Sequence, residues 1–366
     1  MIAAIASMLM LAQAETFAPQ PFLEKVLEEE KAPGGVLIIV PHAGEIGVTF
    51  AGERRIGRGD APEPSDYWHI GSNAKAMTAA LALAMVEKDM ISLESTVSEV
   101  LGDAFKIHSG WSDVTLEMLL THRSGSAQNP SRLTMVRYII FPAKTEKATV
   151  KARQGELKKL LKSPPDNDPG AAFSYSNLGY TLAGHMLGTA AGTSYEEALR
   201  THLLGPLGME MLVGAPEGGA GMISGHNGDP LEAGPPAADN PALMAPAGTL
   251  SFTAADYAEF LRDQLRGARG EEALLSPESY RRQHTPVYKE DGYALGWGVR
   301  PDGSLGHSGS NTFWMATALI DPESGYAVAL LTNSGEADGL GEHLREVLGA
   351  LEPKASLNED PVEPTP

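Results

Sequence analysis

The chain has 366 residues, 42% of them hydrophobic, and a formal net charge of −19 at pH 7. This length suits one large domain or two closely packed ones, and the negative charge disfavours nucleic acids and anionic membrane surfaces as partners. Cysteine is absent, which excludes disulfides, thiolate metal sites and a cysteine nucleophile. None of the ten histidines forms a His-x-x-x-His or His-Glu-x-x-His pair, so we expect neither a metal nor another cofactor.

The two ends of the chain differ in composition from the rest. Residues 1–14 contain an apolar run that ends in Ala-Gln-Ala, a small-x-small cleavage pattern. We interpret them as a signal peptide, which predicts a periplasmic or secreted protein, with a disordered or amphipathic extension as the alternative. No later segment approaches the ~20 apolar residues of a membrane span. Residues 351–366 are rich in proline and acidic residues and are predicted to be disordered.

The periodicity of the remaining chain predicts strands near both ends and helices between them. Two β-rich runs, 36–40 and 46–50, indicate a first hairpin, and a second hairpin turns at 322–325. A helix that is apolar on every face from residue 76 to 85 is expected to be buried. Lysines and arginines gather in 144–162, which is typical of a solvated helix face, with a lid or substrate-steering role as the alternative.

This order of elements predicts how the catalytic domain, 15–350, is organised. Strands at the two ends of a chain most simply join in one sheet, so we assign a sheet lobe to about 20–70 and 290–350. The helical middle, about 71–289, would form a second lobe. A cleft is expected where the two lobes meet.

The first candidate site is Ser72 with Lys75, at the head of the apolar helix. Residues three apart on a helix are neighbours, with Cβ atoms about 5–6 Å apart, so the amine can reach the hydroxyl. Unpaired N–H groups at a helix N-terminus favour a developing negative charge. Partial burial would lower the pKa of the lysine and let it accept a proton. A helix cap followed by a solvated lysine is the alternative for this pair alone.

Two further motifs lie far along the chain. A tyrosine near a lysine can move protons, so Tyr175 is a candidate base, and the amide of Asn177 can hold both a lysine and a substrate. Taken alone, these two residues are better explained as a packed tyrosine and a capping asparagine at a helix N-terminus. His122, at the end of a predicted helix, is interpreted as structural.

The third motif, His307-Ser308-Gly309, leads into the second hairpin. Glycine on an edge strand lets a substrate backbone approach and pair with the strand. The N–H of Ser310 could then face that of Ser72 across the cleft and form an oxyanion hole. The sequence GHSGS also invites comparison with the lipase nucleophile elbow, but Ser310 stands where that motif needs glycine.

The three motifs together, Ser72-x-x-Lys75, Tyr175-x-Asn177 and His307-x-Gly309, resemble those of the serine β-lactamase and penicillin-binding-protein superfamily. The Tyr-x-Asn form is similar to its branch of class C β-lactamases, D-alanyl-D-alanine carboxypeptidases and esterases. The resemblance extends over about 20–350, including PGGVLIIV, EMLLTHRSG and APAGTLSFTAADYAEF.

The resemblance implies an α+β fold of the β-lactamase/transpeptidase type, an antiparallel sheet with flanking helices plus a mainly helical lobe. It implies that Ser72 is the nucleophile and that Lys75 and Tyr175 form the general-base network. The order in which these two take the proton stays open. The N–H groups of Ser72 and Ser310 would hold the oxyanion.

The third motif departs from the β-lactamase pattern, which usually has lysine where this chain has His307. A largely neutral histidine makes a weaker carboxylate site. With Asn177, Ser308 and Gly309, it would bind a small ester, amide or peptidoglycan-like substrate. We therefore expect a serine hydrolase of esters or peptide-like amides that works through an acyl-enzyme, similar to an esterase or a D-Ala-D-Ala carboxypeptidase. The alternatives are a β-lactamase and a slowly acylating penicillin-binding protein without turnover.

Overall fold

The structure is a computed structural model, and it describes residues 17–216, 222–230 and 240–351. The predicted signal peptide, 1–14, lies outside the described residues. So does the predicted acidic tail, apart from Leu351, which is the buried last residue of a helix.

Six strands of the described chain form one antiparallel sheet in the order β2-β1-β11-β10-β9-β8. The strands of this sheet are β1 (Gly34–Pro41), β2 (Gly47–Gly52), β8 (Gly298–Val299), β9 (Leu305–Ser310), β10 (Met315–Asp321) and β11 (Tyr326–Thr332). Strand β1 pairs with β11, so the first and last long strands of the chain lie side by side. The two predicted hairpins are present as β1–β2 and β10–β11.

Two smaller sheets complete the β structure of the described residues. They consist of β3 (Tyr67–His69), β4 (Leu212–Val213) and β7 (Leu250–Thr253), and of β5 (His226–Asn227) with β6 (Asp229–Pro230). Strand β3 ends two residues before Gly71 and therefore leads the chain directly into the Ser72 turn.

Along the chain, most of the described α-helices come after β2 and before β8 of the large sheet. In chain order they are α1 (Pro19–Glu29), α2 (Ala74–Val86), α3 (Val97–Leu101), α4 (Leu116–Leu120), α5 (Arg132–Ile140), α6 (Glu146–Leu160), α7 (Asn177–Ala190), α8 (Tyr195–Leu199), α9 (Ala245–Gly248), α10 (Ala254–Ala268), α11 (Pro277–His284) and α12 (Leu340–Leu351). Serine or threonine side chains cap many of them, as at Thr96, where a capping box with Glu99 begins α3.

The large sheet is covered on both faces. Side chains alternate along a strand, so Val36 and Ile38 of β1 join the core that contains α2, whereas Leu37 joins a second core with α1 and α12. Helix α2 is rich in alanine, leucine and methionine, which favour helix, and its residues from Ala74 to Met85 are all buried. This burial fixes the residues just before the helix relative to the sheet.

These features confirm the predicted α+β class, an antiparallel sheet with flanking helices. Within the described ranges, no helix is both long enough and apolar enough to span a bilayer. The basic segment is largely the helix α6, and most of its lysines are exposed. Arg153 departs from the predicted solvated face, because it is fully buried and forms an ion pair with the buried Glu196.

Candidate active site

Ser72 lies in a single 3-10 turn, Gly71–Asn73, between β3 and α2. Gly71 has a φ of +53°, and a Cβ there would lie 2.4 Å from the carbonyl carbon of Gly309 and 2.5 Å from the nitrogen of Ser310. A Cβ on Gly309 would lie 2.3 Å from the nitrogen of Ser72. Two glycines therefore let the serine turn and strand β9 meet at backbone distance, and the nitrogens of Ser72 and Ser310 lie close to one another.

The side chain of Lys75 is completely buried and points back to the serine turn. Its Nζ donates to three neutral acceptors, which are Ser72 Oγ at 3.0 Å, Asn177 Oδ1 at 2.7 Å and the Ala247 carbonyl at 2.5 Å. Burial lowers the pKa of Lys75 well below its ordinary value. In its neutral form the amine can keep two of these bonds as donor and accept the Ser72 hydroxyl proton in the third.

Tyr175 completes the group around the serine. Its ring centroid lies 4.8 Å from Lys75 Nζ, and its hydroxyl hydrogen-bonds Ser72. Burial raises the pKa of Tyr175 to about 12, and the bond with Ser72 offsets only part of this effect. The phenol is therefore protonated near neutral pH and is suited to donate a proton.

Asn177 links the two sides of the site. It is the first residue of α7, whose N-terminus is capped by the Ser176 hydroxyl accepting from the Gly179 N–H at 2.8 Å. The Asn177 amide accepts from Lys75 and donates through Nδ2 to Asn129 Oδ1 at 2.7 Å. The amide oxygen of Asn177 therefore binds Lys75, and its amide nitrogen binds Asn129.

His307 lies on β9 at the side of the site. Its Nδ1 is 2.8 Å from the Ser308 carbonyl, and its Nε2 is 3.3 Å from the Tyr293 hydroxyl. Tyr293 in turn hydrogen-bonds the buried Tyr180. Burial lowers the pKa of His307 to about 3, and the nearby Lys75 acts in the same direction. The ring is therefore neutral over the physiological range and is not a fixed cation.

The structure brings together most of the predicted site residues. Ser72, Asn177 and Ser310 line one cavity with Ala247, and Lys75 and Tyr175 contact its serine. His307 and Ser308 line a neighbouring depression instead. The Ser308 hydroxyl is 3.0 Å from that of Thr317. Because its side chain is held there, Ser308 would contact a substrate in the serine cavity through its backbone.

His122 is part of the site, beyond the structural role that the sequence suggested. It is buried and has a φ of +59°, and its ring centroid lies 4.2 Å from that of Tyr175 and 4.9 Å from that of Tyr293. Its Nδ1 accepts the Ser176 N–H at 3.0 Å. Its buried Nε2 has no hydrogen-bond partner among the described residues. Burial lowers the pKa of His122 well below its ordinary value, so the imidazole is neutral. It is therefore an uncharged ring that packs against Tyr175.

The model of the Beta-lactamase family matches residues 20–351. A similar protein is Penicillin-binding protein 4 of Amycolatopsis lactamdurans, with 27% identity, 88% of this chain covered and 87% of the relative. Protein flp of Staphylococcus aureus strain MW2 is 23% identical and covers 88% of this chain, and Unguisins hydrolase ungD' of Aspergillus campestris is 25% identical and covers 74%. This chain spans only 64% and 53% of the length of those two relatives.

Solved structures show the same fold. The octameric penicillin-binding protein homologue from Pyrococcus abyssi superposes with a TM-score of 0.69 at 24% identity, covering 90% of this chain and 76% of that one. SurE with D-Leu superposes with a TM-score of 0.72 at 23% identity, covering 95% and 78%. At these identities the superpositions bear on the fold alone.

Proposed function

Because this chain belongs to the Beta-lactamase family, with its serine hydrolases and penicillin-binding proteins, we propose that it hydrolyses carboxylic esters or peptide-like amides through an acyl-enzyme on Ser72. The observation that carries the proposal is the fully buried Lys75 Nζ, 3.0 Å from Ser72 Oγ. A surface lysine would stay charged, whereas this one has a lowered pKa and a hydroxyl within reach.

We assign the first proton transfer to Lys75. The Ser72 hydroxyl gives its proton to the amine as Oγ forms a bond to the substrate carbonyl carbon. The raised pKa of Tyr175 makes a phenolate costly, which favours the lysine over the tyrosine as the initial base. Because both groups contact the same hydroxyl, their titrations are coupled and a measured profile belongs to the pair.

The tetrahedral oxyanion would lie between the backbone N–H groups of Ser72 and Ser310. When the bond from carbon to the leaving group breaks, the protonated Tyr175 supplies a proton to the departing oxygen or nitrogen, and the proton that Lys75 took from Ser72 replaces it, so that both groups are neutral in the acyl-enzyme. Water then attacks the acyl-Ser72 ester, and its proton returns through the same groups. The acid is released and the serine hydroxyl is restored.

The third motif supports esters and peptide-like amides over β-lactams as preferred substrates. A neutral His307 can hydrogen-bond a substrate, but it offers no permanent positive charge to a carboxylate. Efficient β-lactam hydrolysis is therefore the second candidate. Slow acylation without turnover is the third, and the name of the Amycolatopsis relative, a penicillin-binding protein, supports it.

The test follows product release and intact mass when the protein is incubated with a reactive acyl ester and, separately, with a penicillin. We expect turnover of the ester, and neither product nor adduct with Ser72→Ala. Ser109→Ala is a matched control, since Ser109 is exposed and stands in a second His-Ser-Gly sequence outside the site. An undiminished rate in Ser72→Ala would refute the nucleophile, and a stoichiometric adduct without product would favour the binding protein.

A further inference from the structure

Helix α5 exposes an apolar stripe. Leu133, Val136 and Ile140 follow one another at helical spacing and are 85%, 51% and 56% exposed, and Phe141, just after the helix, is 72% exposed. Eight large apolar side chains are exposed in the described part of the chain, and these four fall within nine consecutive residues. Such clustering marks an interaction surface, whereas single exposed apolar residues are ordinary.

The opposite face of α5 is already packed. Met135 and Tyr138 pack against a small buried cluster that includes Met244. The Thr134 hydroxyl donates to the buried carboxylate of Glu156 at 2.9 Å, which ties α5 to α6. The helix is therefore held in place by one face, and the apolar stripe on the other face has no partner within the described chain.

The charge around this stripe is opposite to that of the whole protein. Residues 132–162 contain nine of the 28 lysines and arginines and two of the 47 acidic residues, a net charge of +7, so the rest of the chain carries −26. The cations of this segment with exposed positions are Arg132, Arg137, Lys144, Lys147, Lys151, Lys158, Lys159 and Lys162. A partner for this part of the surface is expected to be anionic.

We propose that this basic apolar surface, α5 with Phe141 and the exposed cations of residues 132–162, docks the protein on an anionic lipid bilayer. Leu133, Val136, Ile140 and Phe141 would enter the interface between headgroups and acyl chains, and the cations would face the lipid phosphates. A soluble polyanion would use the charges but not the exposed apolar side chains. A second copy would bring another surface of +7 against the first, which opposes self-association through this face.

The position of this surface relates it to the serine cavity. Asn129, three residues before the start of α5, accepts a hydrogen bond from Asn177 at 2.7 Å. Met244, which packs under α5, also lines the cavity that contains Ser72. Docking through α5 would therefore hold the cavity near the bilayer surface. The docking proposal itself concerns binding and does not rest on the proposed hydrolase activity.

The test is flotation of the purified protein with vesicles of phosphatidylcholine, with and without phosphatidylglycerol. We expect flotation with the anionic vesicles, and binding that is at least about tenfold weaker after Leu133→Gln with Ile140→Gln, or after Lys144→Glu with Lys147→Glu. The matched control is Ile56→Gln with Leu212→Gln, which changes two exposed apolar residues elsewhere and should leave binding unchanged. Added salt should also weaken binding.

Two results would overturn the proposal. One is no flotation of the wild-type protein with anionic vesicles, and the other is flotation that both double variants retain. Size-exclusion chromatography tests a second copy of the chain as the alternative partner. If the wild type is a dimer that does not bind vesicles, and Leu133→Gln with Ile140→Gln makes it a monomer, the surface is a self-association interface. Ester turnover in solution by the same variants, measured in parallel, would report on folding separately from docking.

Discussion

Lys75 Nζ and Asn177 Oδ1 lie 2.7 Å apart, and this hydrogen bond joins two motifs that are 102 residues apart in the chain. Asn177→Asp would replace a neutral acceptor with a carboxylate at the same place. A negative charge at this distance stabilises the ammonium and raises the pKa of Lys75 by about one unit or more. Since the amine must be neutral to accept the serine proton, we expect the acidic limb of the kcat/KM profile to move to higher pH.

The measurement for Asn177→Asp is a pH profile of kcat/KM with a neutral ester. Asn177→Ala separates the effects, because it removes the same hydrogen bond without adding charge and should shift the limb much less. An unmoved limb in Asn177→Asp would show that the titrating base is a group other than Lys75.

Gly309→Ala tests the backbone contact between β9 and the serine turn. The new Cβ would lie 2.3 Å from both the Ser72 nitrogen and the Ile70 carbonyl, so the strand must move away from the nucleophile. Displacing an oxyanion donor costs on the order of a hundredfold or more in kcat. Gly349→Ala, where the Cβ would meet no atom within 4 Å, is the control and should leave kcat unchanged. Equal kcat values for both variants would contradict the proposed oxyanion hole.

His122→Asn tests the support of Tyr175. Asparagine tolerates the φ of +59°, but it removes the ring that lies 4.2 Å from Tyr175 and weakens the hold on the Ser176 N–H. We expect kcat to fall by at least about tenfold with a smaller change in KM, because the tyrosine loses its position. Lys31→Asn, at another positive φ of +52°, controls for backbone effects and should retain full activity.

His185 is expected to make stability depend on pH. Burial beneath Phe105, and the nearby Arg153, lower its pKa from 6.5 to about 4 in the folded protein. The unfolded chain therefore binds a proton below about pH 6.5 that the folded chain refuses, and stability falls as the pH drops from there to about 4. Over that window the loss amounts to roughly 3 kcal/mol.

His185→Gln removes this titration and measures its contribution. The measurement is urea unfolding at pH 7 and at about pH 4. We expect the free energy of unfolding to fall less for the variant than for the wild type as the pH drops. A constant difference between the two proteins at both pH values would exclude His185 as a source of the acid sensitivity.

The sequence predicted the parts of the site that short motifs encode, and it missed the parts that depend on the fold. Helical spacing predicts that Ser72 and Lys75 are neighbours, and they were recognisable as a site because two further motifs follow them in the chain. The Ala247 carbonyl that accepts from Lys75 has no side-chain signature, since any residue there offers the same group. The sequence contained THRSG, but only the structure shows His122 in left-handed backbone beneath Tyr175.

Charge shows the same limit. The net charge of −19 indicated what the average surface repels, but an average cannot show that residues 132–162 carry +7. The exposed lysines of α6 follow the predicted solvated face. Arg153 does not, because its pairing with Glu196 joins residues 43 apart in the chain.

The place of β9 in the sheet also determines when the candidate site can form during synthesis of the chain. Ser72 is synthesised long before Ser310. Strand β1 can pair with β11 only after β11 has been synthesised, so the sheet forms after that point. Pairings so distant in the chain form late and slowly. On the proposed function, a nascent chain would therefore carry Ser72 without the oxyanion hole until β9 had been made, and hydrolytic activity would first appear after β11 had joined the sheet.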